Sequence, residues 1–181
     1  MDNVFAGLIS SKTRVKLLIR FFLNPESKSY LRELSKEFNV SSNAVREELN
    51  QLTKTNMLQS EKNGRQVYYK ANTHHPLFPE IQSMVNKFMG IDRIIETVIH
   101  RLGKLDKAYL IDDYAKGKDT GIIDLILVGN IDHAQLNDLS RKTGKYIKRK
   151  IRTLVLSQEE FKELLPKMQH RSMLLIWESK K

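Results

Sequence analysis

The sequence of 181 residues contains no cysteine. This absence excludes disulfide bonds, thiolate metal sites and cysteine nucleophiles, and it fits a reducing compartment. No apolar run approaches the roughly 18 residues that a membrane-spanning helix needs. The opening segment MDNVFAGLISSKTR lacks the basic start and long apolar core of a signal peptide. We therefore expect a cytoplasmic protein with no membrane partner.

Several signals of small-molecule chemistry are also missing. The chain has no P-loop, no Gly-x-Gly-x-x-Gly motif and no internal repeat. Its five histidines are scattered, apart from the adjacent His74 and His75, which a single helix or strand does not easily aim at one ion. We predict no metal ion, no cofactor and no Ser/His/Asp catalytic site.

Basic residues, in contrast, are in excess. The sequence has 31 Lys and Arg against 21 Asp and Glu, giving a formal net charge of +10. This balance favours polyanionic partners, nucleic acid first and an anionic membrane surface second. Seven basic residues and no acid fall within residues 141–152, RKTGKYIKRKIR. That run fits two interpretations equally, a solvated strand edge protected by its lysines and a phosphate-binding face.

The first 75 residues predict three helices and a β-hairpin. Ser10 or Ser11 caps the first helix, and the motif Asn24-Pro25 ends it. A second helix follows Ser29. A third helix, capped by Ser41 or Ser42, directs inward the apolar side chains of Ala44, Val45, Leu49 and Leu52. Residues 58–60 and 65–70 then form two arms of a hairpin around Asn63-Gly64.

The stretch YLRELSKEFNVSSNAVREELNQLTKTNMLQSEKNGRQVYYKAN resembles winged helix-turn-helix transcriptional regulators of the ArsR type, over roughly residues 11–75. The resemblance implies that double-stranded DNA is bound by the third helix and the hairpin, or wing. The predicted DNA-binding residues are Ser41, Ser42, Asn43, Arg46, Asn50, Lys62, Asn63 and Arg65. The alternative is a winged helix used for protein contacts. The thiolate-based metal sensing of the ArsR group is excluded, because there is no cysteine.

A long helical pattern follows the wing. Its apolar side chains repeat with heptad spacing at Ile81, Met84, Phe88, Ile91, Ile95, Val98 and Leu102. Gly90 interrupts the pattern and predicts two helices, at about 78–88 and 91–102. We expect the first helix to pair with its copy in a homodimer and the second to pack on the following domain. The alternative is that the whole stripe belongs to an intramolecular core.

The remaining residues predict an α/β domain. The expected strands cover residues 107–111, 122–128, 146–156 and 172–177, and the expected helices cover 132–143 and 157–168. Ser157 and Glu160 have the spacing of a capping box. The predicted organisation is therefore a winged helix-turn-helix at 1–75, a linker helix at 76–90 and a third segment at 91–181.

This third segment resembles the minimal nucleotidyltransferase domain, in the segments AYLIDDYAKG and GIIDLILVG. The resemblance implies an α+β fold with a small mixed sheet, in which a Gly-Ser pair holds nucleotide phosphates and three acids hold two Mg²⁺ ions. Here Asp112 and Asp113 stand where Gly-Ser is expected, and Ile122 replaces the first acid. Asp124 remains, and Arg152 falls at about the position of the third acid.

We therefore predict that nucleotidyl transfer is lost and that Asp112, Asp113 and Asp124 form a vestigial site without catalytic residues. In one alternative, the three aspartates form a rearranged metal site. In another, Asp112, Asp113 and Asp119 are solvated loop charges, while Asp124 pairs with a nearby Lys or Arg.

The functional prediction is a sequence-specific DNA-binding transcriptional regulator, with an unknown protein or nucleotide as effector. The alternatives are an active nucleotidyltransferase that modifies a protein or a small molecule, and an antitoxin-like scaffold that binds a protein.

Overall fold

The computed structural model describes residues 9–102 and 104–179, which divide into two units between Phe88 and Met89. Most of the segment considered for a signal peptide precedes residue 9 and lies outside the described residues. The architecture is α+β, as predicted, with one small sheet of three strands and another of four.

The amino-terminal unit has the element order of a winged helix-turn-helix. Its elements are α1 (Lys12–Phe22), β1 (Ser29–Tyr30), α2 (Leu31–Phe38), α3 (Ser42–Lys54), β2 (Leu58–Asn63), β3 (Gln66–Ala71) and α4 (Phe78–Met89). The three predicted helices and the hairpin are confirmed, although the first hairpin arm is three residues longer than expected, the second is shifted by one residue, and β1 was not predicted. The three strands form an antiparallel sheet in the order β1-β3-β2.

Local signals set the helix boundaries of this unit. The Ser11 hydroxyl accepts the Arg14 backbone N–H at 3.2 Å and caps α1. Asn39 ends α2 in the left-handed conformation with φ of 53°, which Asn tolerates better than most residues. The Ser41 hydroxyl accepts the Ala44 N–H at 3.2 Å and starts α3, so Ser41 is the cap of the third helix.

Apolar side chains from all three helices and from the start of the wing form the core of this unit. Leu17, Phe21, Phe22, Leu34, Val45, Leu49 and Leu58 are at most 2% exposed. One cation, Arg20, is buried beside them. Its Nε lies 3.6 Å from the Glu37 carboxylate, and its Nη2 donates to the Ser29 hydroxyl at 3.2 Å. The charge therefore has partners on α2 and β1.

The carboxyl-terminal unit is a four-stranded mixed sheet with helices around it. Its elements are α5 (Ile91–Thr97), β4 (Leu105–Ile111), the short α6 (Asp112–Ala115), β5 (Ile122–Gly129), α7 (His133–Ile147), β6 (Lys150–Leu156), α8 (Gln158–Leu164) and β7 (Met173–Glu178). Short 3₁₀ turns cover Ile99–Arg101 and Leu165–Met168. The strand order is β6-β5-β4-β7, in which only β5 and β6 run parallel.

The predicted strand at 146–156 is wrong at its beginning. Tyr146 and Ile147 belong to the last turn of α7, which ends at Ile147 and is capped by Lys148, and β6 starts only at Lys150. Lys148 adopts the left-handed conformation that Gly or Asn usually supplies at a helix end. The sequence therefore carried no stop signal at that point. The capping box of α8 is confirmed, with Ser157 and Glu160 each bonding the other's backbone N–H.

Gly90 separates α4 from α5, as predicted. Its φ of +79° lies in the left-handed region, and a Cβ added there would come within 3.2 Å of the Ile147 side chain. Along the heptad pattern, Ile91, Val98 and Leu102 are buried, whereas Met84 is 41% exposed. Among the described residues, no helix is both long and apolar enough to cross a membrane.

Candidate functional site

Helix α3 has one face buried in the core and one face exposed. Val45, Leu49 and Leu52 are at most 5% exposed and hold the helix in place. The opposite face is exposed along the 13 residues of the helix, and it carries Ser42, Asn43, Arg46, Glu47 and Asn50. The predicted orientation of α3 is therefore confirmed, although Ala44, also expected to face inward, is only half-buried.

The first turns of α3 place polar groups at an exposed helix N-terminus. Arg46 Nη1 donates to Asn43 Oδ1 at 3.0 Å, one helical turn away. The Ser42 hydroxyl donates to the Ser35 hydroxyl at 3.3 Å, which ties α3 to α2. The Ser41 hydroxyl oxygen is engaged in capping, yet its O–H remains a donor. A helix N-terminus with hydroxyl donors is suited to an anion such as a phosphate.

Glu48 does not belong to the exposed face of α3. Its carboxylate accepts a bond from Arg14 Nε of α1 at 2.7 Å, and its side chain is 13% exposed. The charge of Glu48 is thus compensated inside the unit. Glu47 remains as the acidic side chain on the outward face.

The wing ends in a two-residue turn. Asn63 pairs with Gln66 across the β2–β3 ladder, and Gly64 between them has a φ of +59°. The predicted wing-tip residues Lys62, Asn63 and Arg65 are all exposed. The structure thus leaves all eight predicted DNA-binding residues accessible in the amino-terminal unit. Five lie at the start and along the outer face of α3, and three lie at the wing tip.

Asp124, on β5 of the carboxyl-terminal unit, is paired with an arginine. In the parallel register Asp124 lies opposite Arg152 of β6. The guanidinium donates from Nε and Nη2 to the two carboxylate oxygens at 2.5 and 2.6 Å. The predicted pairing of Asp124 with a basic residue is confirmed, and its partner is the residue at the expected position of the third acid.

Asp112 is also paired, which corrects the interpretation of it as a solvated loop charge. Arg171 donates to both of its carboxylate oxygens, from Nε at 2.9 Å and from Nη2. These bonds hold the pKa of Asp112 below its usual value. Asp112 begins α6 in the left-handed conformation, with φ of 57°. The neighbouring Asp113 is exposed.

Asp119, in the loop before β5, is also paired, so the interpretation of it as a solvated loop charge is wrong as well. Arg149, which directly precedes β6, donates to it from Nε at 3.1 and 3.2 Å and from Nη2 at 2.6 Å. The Gly121 N–H adds a bond at 3.1 Å. Burial raises the pKa of Asp119, but the arginine outweighs that effect, and the pKa is lowered overall. The loop charge is therefore an anchor between β5 and β6.

These side chains do not fit the pair of Mg²⁺ ions that the nucleotidyltransferase resemblance implies. Two such ions need a cluster of carboxylate oxygens, whereas Asp112 and Asp124 each bind a guanidinium. Within the described residues, no three His, Asp or Glu side chains are grouped closely enough to hold a metal ion. The sequence does not indicate Arg149 and Arg171 as partners, because 30 and 59 residues separate them from their aspartates.

No protein-family model and no curated protein matches the sequence. HlyU from Vibrio cholerae is 18% identical, with 49% of this chain and 84% of that chain covered and a TM-score of 0.38. The transcriptional regulator BldR from Sulfolobus solfataricus is 14% identical, with 54% and 68% covered and a TM-score of 0.38.

A nucleotidyltransferase-like protein, also from Sulfolobus solfataricus, is 19% identical, with 56% of this chain and 88% of that chain covered and a TM-score of 0.34. Identities and TM-scores at this level do not transfer a function. The function proposed below rests on the geometry of this chain.

Proposed function

We propose that this protein is a sequence-specific, DNA-binding transcriptional regulator of the cytoplasm. The observation that carries the proposal is the outward face of α3, which is free of the core along its length and presents Asn43, Arg46 and Asn50. A major groove admits an α-helix, and these residue types are the ones that read base edges there.

The side chains of α3 and the wing suggest a division of roles. Arg46 would donate a bidentate pair to a guanine, with Asn43 holding the guanidinium in place. Asn50, one turn further along, suits an adenine. Ser41 at the helix N-terminus would bond backbone phosphate, and Ser42 would do so by exchanging its bond to Ser35 for one to phosphate. Lys62, Asn63 and Arg65 of the wing would contact the backbone or the minor groove.

The first experiment is a selection of genomic DNA fragments that bind the full chain, followed by affinity measurements on the selected duplex. Arg46→Ala should weaken binding to that duplex by about 1–3 kcal/mol, because a bidentate base contact is lost. Its affinity for an arbitrary duplex should fall much less. The salt dependence should be steep, since released counterions supply much of the affinity.

Arg101→Ala is the matched control, because it removes the same charge from an exposed position in the other unit. Equal losses in both variants, on both duplexes, would mean that Arg46 acts as a charge and reads no base. Recovery of no preferred fragment, together with a stoichiometric protein partner in a pull-down, would favour the antitoxin-like scaffold.

The proposal extends to the carboxyl-terminal unit, which we infer performs no nucleotidyl transfer. It would serve as a dimer scaffold, as a sensor of a nucleotide or other ligand, or as a partner surface. Support comes from Ile122 at the position of the first acid and from the two arginines on Asp112 and Asp124. Incubation with labelled ATP and Mg²⁺ tests this inference. Label transfer that Asp124→Asn abolishes would establish an enzyme instead.

A further inference from the structure

A groove of about 580 Å³ lies between α7 and the edge strand β6 of the carboxyl-terminal unit. Its ten lining residues include five basic side chains, Arg141, Lys145, Arg149, Lys150 and Arg152, and no acidic one. The basic run at 141–152 therefore does not lie along one strand. It turns from a helix into a strand and lines both walls of the groove.

Two of these cations are uncompensated. Arg141 pairs with Asp138, and Arg149 and Arg152 bind the aspartates described above. In the part of the chain that the structure describes, no ion pair involves Lys145 or Lys150, and both are exposed. The groove lining thus contains two lysines without an acidic partner, Lys145 on α7 and Lys150 on β6.

Ser140, on α7, adds an independent observation. It lines the groove and is 8% exposed, yet its hydroxyl has no hydrogen-bond partner among the described residues. Buried polar groups are nearly always paired, so an unpaired hydroxyl in this lining is unusual. A phosphate oxygen is an acceptor for such a hydroxyl. The backbones of the two walls also approach closely, since a Cβ on Gly144 would lie 2.7 Å from the Arg149 carbonyl oxygen.

The general roles of surface lysines explain only part of this arrangement. Protection of a sheet edge accounts for Lys150 on β6, but not for Lys145 on α7. A helix C-terminus favours a cation such as Lys145. Neither effect accounts for the unpartnered Ser140 hydroxyl.

We propose that this groove binds the phosphodiester backbone of double-stranded nucleic acid, independently of sequence. The groove lining contains no aromatic ring, so it offers no platform on which an unpaired base could stack. Cations and hydroxyls without base-reading geometry contact phosphates. The site would be a second nucleic-acid contact, in a different unit from the base-reading helix of the proposed function.

Binding of a labelled duplex of arbitrary sequence tests this contact in the full chain. Removing both cations with Lys145→Ala/Lys150→Ala should lower the slope of log K against log[salt] by about 2, since each phosphate contact contributes about 0.9. Affinity near 0.15 M salt should fall about 30-fold on the same relation. Ser140→Ala should weaken binding about two- to tenfold without changing the slope, because the hydroxyl carries no charge.

Lys162→Ala/Lys167→Ala is the matched control, since it removes two exposed lysines near α8 of the same unit. Acetylation of lysines in the unmodified chain, read by mass spectrometry, provides a direct map. Duplex should protect Lys145 and Lys150 and leave Lys162 and Lys167 reactive. Fluorescence of Trp177, the only tryptophan, checks that each variant unit is folded.

The proposal would be overturned if the two double variants weakened duplex binding equally, or if duplex did not protect Lys145 and Lys150 from acetylation. Stronger protection by ATP or inorganic phosphate than by duplex would also overturn it, by assigning the groove to a free anion. Tighter binding of single strands than of duplex would do the same. A chain that selects no preferred fragment would refute the proposed function alone, because the protection measured with arbitrary duplex does not depend on base reading.

Discussion

The Asp119–Arg149 pair leads to a prediction with a defined pH dependence. Asp119→Asn keeps the shape of the side chain and an acceptor for the Gly121 N–H, but it removes the negative charge opposite Arg149. The arginine side chain is only 12% exposed and would lose its charged partner, keeping the bond from Nη1 to the Ile147 carbonyl oxygen. Hydrogen bonds to charged groups contribute about 1.5–3 kcal/mol, so the variant should lose about that much unfolding free energy at pH 7.

The sign of the pH effect follows from the lowered pKa of Asp119 in the folded state. A depressed carboxyl pKa stabilises the fold above the ordinary value, about 3.9, and this contribution disappears as the pH falls through the folded pKa. Asn cannot titrate. The difference between the unmodified chain and the variant should therefore be largest at neutral pH and should shrink below about pH 4.

Urea unfolding followed by Trp177 fluorescence measures this difference, because the only tryptophan lies on β7 of the same unit. With a slope near 2 kcal/mol/M, the midpoint should shift by about 1 M. Asp138→Asn is a control, since that carboxylate pairs with one arginine and one lysine side chain that are each more than 60% exposed. A loss that is independent of pH, or no larger than that of the control, would refute the anchoring role.

Two further predictions concern the amino-terminal unit and the oligomer. Arg20→Met should destabilise the first unit by roughly 3 kcal/mol, because it removes one partner of a buried ion pair. Circular dichroism or calorimetry would show this, and a change below about 0.5 kcal/mol would contradict it. Met84 is 41% exposed on α4, where the heptad pattern predicts a homodimer. Met84→Asp should therefore halve the mass measured by light scattering. Ser83→Asp places the same charge at the neighbouring exposed position outside the heptad stripe and should leave the mass unchanged. A monomeric unmodified chain would refute the dimer.

The elements that sequence reasoning predicted correctly are those with local causes. Helical spacing and a serine cap define α3, and the same spacing determines which of its side chains face outward. The two-residue turn of the wing and the capping box at Ser157 are likewise contained in a few adjacent residues. The exposure of the predicted DNA-binding face followed from these local patterns.

The features that were missed depend on residues far apart in the chain. Asp119 and Asp112 appear in the sequence as loop charges, because their arginine partners follow 30 and 59 residues later. Only the folded sheet brings the starts of β5 and β6 and the residues before β7 to the same end of the sheet. The end of α7 was missed for a different reason, since Lys148 takes a left-handed conformation that its residue type does not signal.

The three aspartate–arginine pairs affect both the metal-binding capacity and the charge distribution of the carboxyl-terminal unit. Asp112 after β4, Asp119 before β5 and Asp124 on β5 each bind a guanidinium supplied by the chain itself. A guanidinium is planar and bonds both carboxylate oxygens, whereas Mg²⁺ requires oxygen ligands in near-octahedral geometry. Metal binding would have to displace these bonds. Arg149 and Arg152 of the groove lining are bound by Asp119 and Asp124, and Arg141 shares Asp138 with Lys142, so Lys145 and Lys150 are the groove cations without an acidic partner among the described residues.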